Sequence, residues 1–378
     1  MTKLSAGICV VILAACCGCS PKSKAASESA ADRQTEPRWQ SAQSTHIQVQ
    51  FEPLREFPNN GLQLPAVSPD GKWIAYLDLD SEEPIELAAL FTGQGLQAIS
   101  LYVQAAAPGS TSRMVCKSGA AWPAWSPDSK LLVFVAYSET GQCNLGVYDV
   151  STGITRYVST GQKHIVMLDV SPSAKQAALV VPGTDAEPSG LYVVNLDTGK
   201  VEQICPTDIQ GSKFWPQWTN DGRIIFVLSD HARSWLAQWQ PGTFSPEKLC
   251  EIRTSASQIG IFQSLAGLGR PLSPDDQHFA YYDTAADQIV LVNLIDGQEV
   301  KLTNKTRAGC WLASERFAAA DDQEMRLFTI GATMPALLMR GLWLPRSGNP
   351  SGGELILCTP GRHHRVFGLV RMKVLSAK

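Results

Sequence analysis

Three groups of residues have types and spacings that could support chemistry. Asp78, Asp80 and Glu82 alternate along the chain in the way that opens a calcium loop, offering hard oxygen donors to a hard cation. Ala89 stands where such a loop needs its bidentate carboxylate, and no glycine occupies the sharp turn, so no metal is assigned there. His363 and His364 carry imidazole nitrogens that could ligate a metal, but the surrounding "PGRHHR" reads as a solvated turn. Cys16 and Cys19 form a C-x-x-C with no second ligand pair nearby, so neither a zinc site nor a redox motif follows. The chain has no Gly-x-Ser-x-Gly elbow, no phosphate-binding glycine loop and no His-Glu-x-x-His. Catalytic residues, metal and cofactor are therefore all expected to be none.

The Cys16 pair has a different explanation. Residues 1–15 hold one early lysine and then an apolar run too short to span a bilayer as a helix, the shape of a secretory signal. The run ends in Leu13-Ala14-Ala15-Cys16, which resembles the lipobox of bacterial lipoproteins. That resemblance implies cleavage before Cys16, a diacylglycerol on its thiol and an acyl chain such as palmitate on its new amino terminus. Several acyl chains suffice for stable membrane attachment. The residue after Cys16 is Cys17 and not Asp, and by the same resemblance this implies an outer-membrane anchor facing the periplasm in a Gram-negative host. Residues 16–45 are Ser/Ala-rich and polar, unable to bury enough apolar surface to offset their ordering entropy, and read as a flexible tether. The globular body is expected over 46–378.

A net charge of −3 leaves no electrostatic footprint for nucleic acid. Six cysteines lie in the body: Cys116, Cys143, Cys205, Cys250, Cys310 and Cys358. An oxidising compartment permits disulfides among them, but their number leaves many pairings open.

The body is organised by a repeat. "VSPDGKWIAYLD" from Val67, "WSPDSKLLVFVA" from Trp125, "VSPSAKQAALVV" from Val170, "WTNDGRIIFVLS" from Trp218 and "LSPDDQHFAYYD" from Leu272 share one grammar. Each is a hydroxyl residue, a Pro or Asn, an Asp or Ser and then an apolar strand, which is turn chemistry leading into a buried strand. A second strand closing on an Asp- or Asn-led hairpin follows in "NLGVYDVSTG", "GLYVVNLDTG" and "QIVLVNLIDG". The repeat resembles that of TolB-type and WD-repeat-like β-propellers, over most of residues 62–330. The resemblance implies an all-β propeller of four-stranded blades. Two degenerate units from Cys310 and Leu342 bring the count to seven, with "HIQVQFE" from His46 supplying the last blade's fourth strand. Six blades are the alternative if the C-terminal strands are peripheral. Residues 20–61 are too few for the extra N-terminal domain of TolB, so a literal TolB orthologue is not expected.

In such a blade, with strands A to D running outward from the axis, the A–B and C–D turns share one face of the disc and the B–C loops and D-to-A connections share the other. The long segments from Leu79 and from Glu251 both belong to the second, long-loop face. "WPAWSPDSK" from Trp122 and "WPQWTNDGR" from Trp215 repeat almost word for word about 93 residues apart, two steps of about 46. They place Trp122 and Trp215 near the start of strand A, at the mouth of the central channel on the long-loop face. There they are expected to be exposed partner-binding anchors, as tryptophans at binding hot spots often are; packing between blades is the alternative. Cys116 and Cys143 fall on the same face, at the end of a D strand and the start of a C strand, where a disulfide is allowed.

The expected function is a membrane-anchored envelope lipoprotein, a monomer. Its propeller is read as a non-catalytic scaffold for a protein or peptide, bound through the long-loop face. Propellers of similar repeat that act as oligogalacturonate lyases keep a second reading open, that of a carbohydrate-active enzyme or sugar-binding protein using the channel.

Overall fold

The computed structural model describes residues 48–375, apart from 59–64, 80–95, 139–141, 184–188, 206–210, 231–232, 254–267, 303–304, 307, 333, 342–343, 350–352 and 361–365. The chain forms seven antiparallel sheets whose strand orders follow the sequence, with one exception at the ring's closure.

The first strand, β1 (Gln48–Pro58), belongs to the last blade. Blade 1 holds β2 (Ala66–Val67), β3 (Trp73–Leu79), β4 (Ile99–Ala105) and β5 (Arg113–Cys116). Blade 2 holds β6 (Ala120–Trp125), β7 (Leu131–Tyr137), β8 (Cys143–Asp149) and β9 (Ile154–Gln162). Blade 3 runs through β10 (Val166–Val170), β11 (Gln176–Val181), β12 (Gly190–Asn195) and β13 (Val201–Cys205). Blade 4 runs through β14 (Ser212–Trp218), β15 (Ile224–Ser229), β16 (Ser234–Trp239) and β17 (Glu247–Ile252). Blade 5 keeps three regular strands, β18 (His278–Asp283), β19 (Gln288–Asn293) and β20 (Glu299–Lys301). In place of its inner strand Leu272 makes a single bridge to Phe279, and Leu268 bridges Gly309 of the next blade. Blade 6 holds β21 (Ala308–Ala313), β22 (Arg316–Ala320), β23 (Glu324–Thr329) and β24 (Ala336–Arg340). Blade 7 takes β25 (Leu344–Asn349), β26 (Glu354–Pro360) and β27 (Val366–Leu375), then β1 as its outermost strand. Seven blades is the expected count, and β1 closes the ring as the repeat implied.

The serine-led turns show why the repeat is written as it is. Ser68, Ser126 and Ser273 donate to Asp70, Asp128 and Asp275 at 2.6–2.7 Å, and Thr219 donates to Asp221 at 2.6 Å. Each hydroxyl also accepts the peptide N–H that opens the next strand, from Trp73, Leu131, His278 and Arg223, all at 2.9 Å. The hydroxyl residues are buried, so a side chain that spends both hydrogen-bonding roles within the turn removes an otherwise unmet polar cost. The turn's fourth residue is left-handed in all five copies. Glycine fills it at Gly71 (φ 70°) and Gly222 (φ 86°), while Ser129, Ala174 and Asp276 fill it at φ 57–62°.

Neighbouring blades are joined at both radii. Near the axis the Trp125 indole donates to the Ala66 carbonyl of the preceding blade at 3.0 Å, and the Trp311 indole does the same to Pro271 at 2.8 Å. At the rim Arg113 reaches the Gly153 carbonyl of the following blade at 2.7 Å, and Arg156 reaches the Leu196 carbonyl. The interior is aliphatic and aromatic, continuous from blade 1 through blade 6.

Candidate interaction surface

The two copies of Trp-Pro-x-Trp fold into the same irregularity. In β6 the pairing with β7 slips between Ala121 and Ala124, and in β14 the pairing with β15 slips between Phe214 and Gln217. At the slip, Trp122 and Trp215 adopt left-handed backbone, φ 52° and 54°. Such a conformation costs a bulky L-residue about 1–2 kcal/mol, so the surrounding strands must hold it. A proline directly after the bulge gives up no ladder bond that the slip has not already removed. Blade 3 carries a third copy without the phrase: β10 slips between Val166 and Leu168, and Met167 sits at φ 60°. Three consecutive inner strands thus bend at the same level, in the half nearer the long-loop face. Trp215 N–H approaches the Met167 sulfur at 3.3 Å, so the second and third bulges touch.

The expectation of two exposed anchors is corrected in part. Trp122 is only 6% exposed and Met167 only 4%, because the bulge leaves both side chains packed within the core rather than free at the rim. Trp215 is half-buried and packs against the same core. Packing therefore explains Trp122, and Trp215 is the member of the trio that keeps surface to offer.

The second tryptophan of each phrase has another task. Trp125 makes the inter-blade latch described above. Trp218 instead receives help from both neighbours: its N–H donates to Asp169 of blade 3 at 2.7 Å, and its carbonyl accepts from Arg270, in the approach to blade 5. These peptide groups lie on the inner edge of β14, where no further strand exists to pair with them. Burial pushes the Asp169 carboxyl above the ordinary carboxylate range, and the Arg270 charge and the Trp218 N–H pull it part of the way back.

Cys116 and Cys143 occupy the long-loop face as expected, but the disulfide is absent: both thiols are free and buried. Each is turned to a carbonyl of an inter-blade connection, Cys116 to Ser118 at 3.2 Å and Cys143 to Lys163 at 3.1 Å. Burial pushes Cys143 up to about 12 and raises Cys116 as well. Beside Cys143 the Tyr137 hydroxyl donates to the Ile165 carbonyl at 2.9 Å and lies 2.8 Å from His164 Nδ1. A thiol, a phenol and an imidazole in one place suggest nucleophilic chemistry, but burial holds both thiol and phenol in their neutral forms. Cys205 and Cys310 are buried as well.

The Asp78 carboxylate accepts the N–H of Leu79 at 2.9 Å. Asp80, Glu82 and Ala89, His363 and His364, Cys16 with the expected signal and tether, and most of both long segments lie outside the described residues. Among the described residues no group of three or more His, Cys, Asp or Glu side chains could hold a metal.

No family model matches the chain, and neither does any curated protein. Solved structures do. TolB from Acinetobacter baumannii aligns at 16% identity over 81% of this chain and 66% of that one, with a TM-score of 0.48. Acylaminoacyl peptidase from Pyrococcus horikoshii aligns at 12% identity over 80% of this chain, with a TM-score of 0.53. The Cps50 (Swd1) β-propeller domain of Myceliophteria thermophila aligns at 12% identity over 87% of this chain and 100% of that one, with a TM-score of 0.53. The chain covers 49% of the length of the peptidase that it matches. At these identities the likeness is one of fold: the protein is a seven-bladed, WD-repeat-like β-propeller.

Proposed function

We propose that this propeller is a lipid-anchored, non-catalytic scaffold that binds a protein or peptide of the cell envelope on its long-loop face. The observation that supports it best is the run of three left-handed bulges at Trp122, Met167 and Trp215. They set one broad, partly open aromatic surface, that of Trp215, on a buried and rigid base at the channel mouth. Aromatic groups held in this way make good peptide anchors, since little side-chain entropy remains to be lost on binding.

The closure of the ring supports the same orientation. Gln48 pairs with Leu375, so β1 starts on the face of the A–B and C–D turns, the hairpin face, and its other end, Pro58, lies toward the long-loop face. A tether from Cys16 to β1 would then join the body on its hairpin face and leave the long-loop face turned away from the membrane.

The test is crosslinking of the tagged full-length lipoprotein in cells, followed by mass spectrometry, with wild type compared to Trp215→Ala. One envelope protein captured by wild type and lost in a folded Trp215→Ala variant is the expected outcome. Unchanged capture would remove Trp215 from the site. Failure to capture any protein, together with binding of an oligosaccharide, would replace this reading with the carbohydrate one.

A further inference from the structure

Blades 4 and 5 part on the hairpin face, the side opposite the proposed partner surface, and leave a cleft of about 360 Å³. The cleft follows from the irregularity of blade 5. Without a full inner strand, the turn at 273–277 is bolted to the turn of blade 4 by Asn220: its N–H donates to Asp276 Oδ2 at 2.5 Å and its side-chain amide to the Pro274 carbonyl at 2.8 Å. Outward of that bolt the two blades diverge.

The lining is divided by chemistry. Ile225 and Leu249 of blade 4 and Leu294 and Ile295 of blade 5 form an aliphatic side, and Ile295 is 79% exposed. The same lining includes Asp221, Asp275 and Asp276. Asp221 is neutralised within the wall by Arg223, whose Nε lies 2.9 Å from its carboxylate and whose Nη1 holds Gln238 at 2.8 Å. Asp275 and Asp276 form no ion pair among the described residues. Asp276 Oδ1 is buried and has no hydrogen-bond donor there, whereas its other oxygen is used by Asn220. Burial raises the Asp276 carboxyl, and the Asn220 N–H and the Arg270 charge offset part of that rise.

We propose that this cleft takes one basic side chain, arginine or lysine, from a peptide partner. An aliphatic stem ending in a cation matches both kinds of lining: methylenes pack on Leu249, Leu294 and Ile295, and the charged head is drawn to the Asp275 and Asp276 carboxylates. A purely apolar occupant would leave the two carboxylates desolvated and unpaired, and an anion would be repelled.

The experiment is a calorimetric titration of the detergent-solubilised full-length protein with Nα-acetyl-arginine amide, Nα-acetyl-lysine amide and the uncharged isostere Nα-acetyl-citrulline amide. Saturable one-site binding of the two cations is expected, with citrulline at least tenfold weaker. The double variant Asp275→Asn/Asp276→Asn is expected to weaken arginine-amide binding at least tenfold. Asn tolerates the left-handed backbone at position 276 and keeps an acceptor for Asn220. Ile295→Ser changes only an exposed side chain and should weaken binding several-fold without loss of folding. Equal binding of citrulline, absence of saturation, or unchanged affinity in Ile295→Ser and in a folded double variant would each overturn the proposal.

Discussion

Asp169 and Arg270 hold one residue between them: the carboxylate accepts the N–H of Trp218 at 2.7 Å and the guanidinium donates to its carbonyl. Inner strands of a propeller have one edge that no neighbouring strand covers, and backbone groups there need partners. In blade 4 those partners come from the blades on either side, which ties three blades together at the channel wall.

The Asp169 clamp carries a pH signature. A carboxyl raised above its ordinary value in the folded protein favours folding while it is protonated. Its contribution is complete below that value and is lost as pH rises through the raised folded value. Asp169→Asn removes this term and keeps an acceptor for Trp218. Melting temperature measured against pH should therefore show the variant gaining on wild type as pH rises above about 4. Arg270→Ala should enlarge the same loss in the wild-type carboxyl, because the positive charge that steadies the ionised form is gone. Parallel curves for wild type and Asp169→Asn would show that the shift has no weight in folding.

The turn carboxylates act with the opposite sign. Asp70, Asp128 and Asp221 lie below the ordinary range, held there by bonds from their own turn hydroxyls, backbone N–H groups and basic neighbours against the cost of burial. Their stabilisation is present above the usual carboxylate pKa and is lost on acidification through the lowered values. Ser126→Ala removes the donor to Asp128 and the acceptor for the Leu131 N–H in one step. A cost of about 1–3 kcal/mol is expected by urea unfolding, since a buried N–H is left without its partner.

The same turns offer a stabilising change. Ala174 holds φ 57° where two other copies of the turn use glycine. Relief of left-handed strain, about 1–2 kcal/mol, outweighs the extra unfolded-state freedom of glycine, so Ala174→Gly should stabilise the fold by a net ~0.5–1 kcal/mol, read as a higher urea midpoint. A fall in the midpoint would show that the alanine methyl packs better than its backbone suffers.

These turns also mark what the sequence allowed to be read. Hydroxyl and Asp side chains that bond their own backbone must be written locally, so five turns, and with them the blade phase, were visible in the chain. The role of "HIQVQFE" followed because a ring needs a final strand. Met167 was invisible: its bulge copies that of Trp122 and Trp215 in geometry but uses neither tryptophan nor proline. The cleft between blades 4 and 5 was equally hidden, because it arises from an inner strand that does not form around Leu272, and a weak strand leaves no positive sign. Trp122 departs from its expected exposure for a related reason. Strand alternation assigns a side chain to a face only while the ladder stays in register, and the register breaks at that residue.

Ring closure rests on Arg371 of β27. Its guanidinium holds Glu52 of β1 at 2.8 Å and donates to the Ala106 carbonyl of blade 1 at 2.6 Å, joining both ends of the chain to the first blade. Arg371→Ala is expected to cost about 1.5–3 kcal/mol, the usual range for hydrogen bonds to a charged group. Hydrogen exchange should place the loss first in β1 and β27. Uniform loss of protection across all blades would show instead that the ring opens as a single unit.

The free state of Cys116 and Cys143 can be read directly from their reactivity. A thiol reacts as its thiolate, and burial pushes Cys143 up to about 12 while leaving it without solvent access. Iodoacetamide at pH 8 should therefore leave both residues unlabelled in the folded protein. In urea without reductant, both should be alkylated within minutes, as peptide mapping by mass spectrometry would show. If the pair is bridged in protein taken from the envelope, neither residue will label in urea until a reductant is added. That outcome would mean that the two connections, at Ser118 and Lys163, release their thiols to each other in an oxidising compartment. Labelling of Cys143 in the folded state would be a different result, showing that the long-loop face opens far enough to expose the base of β8.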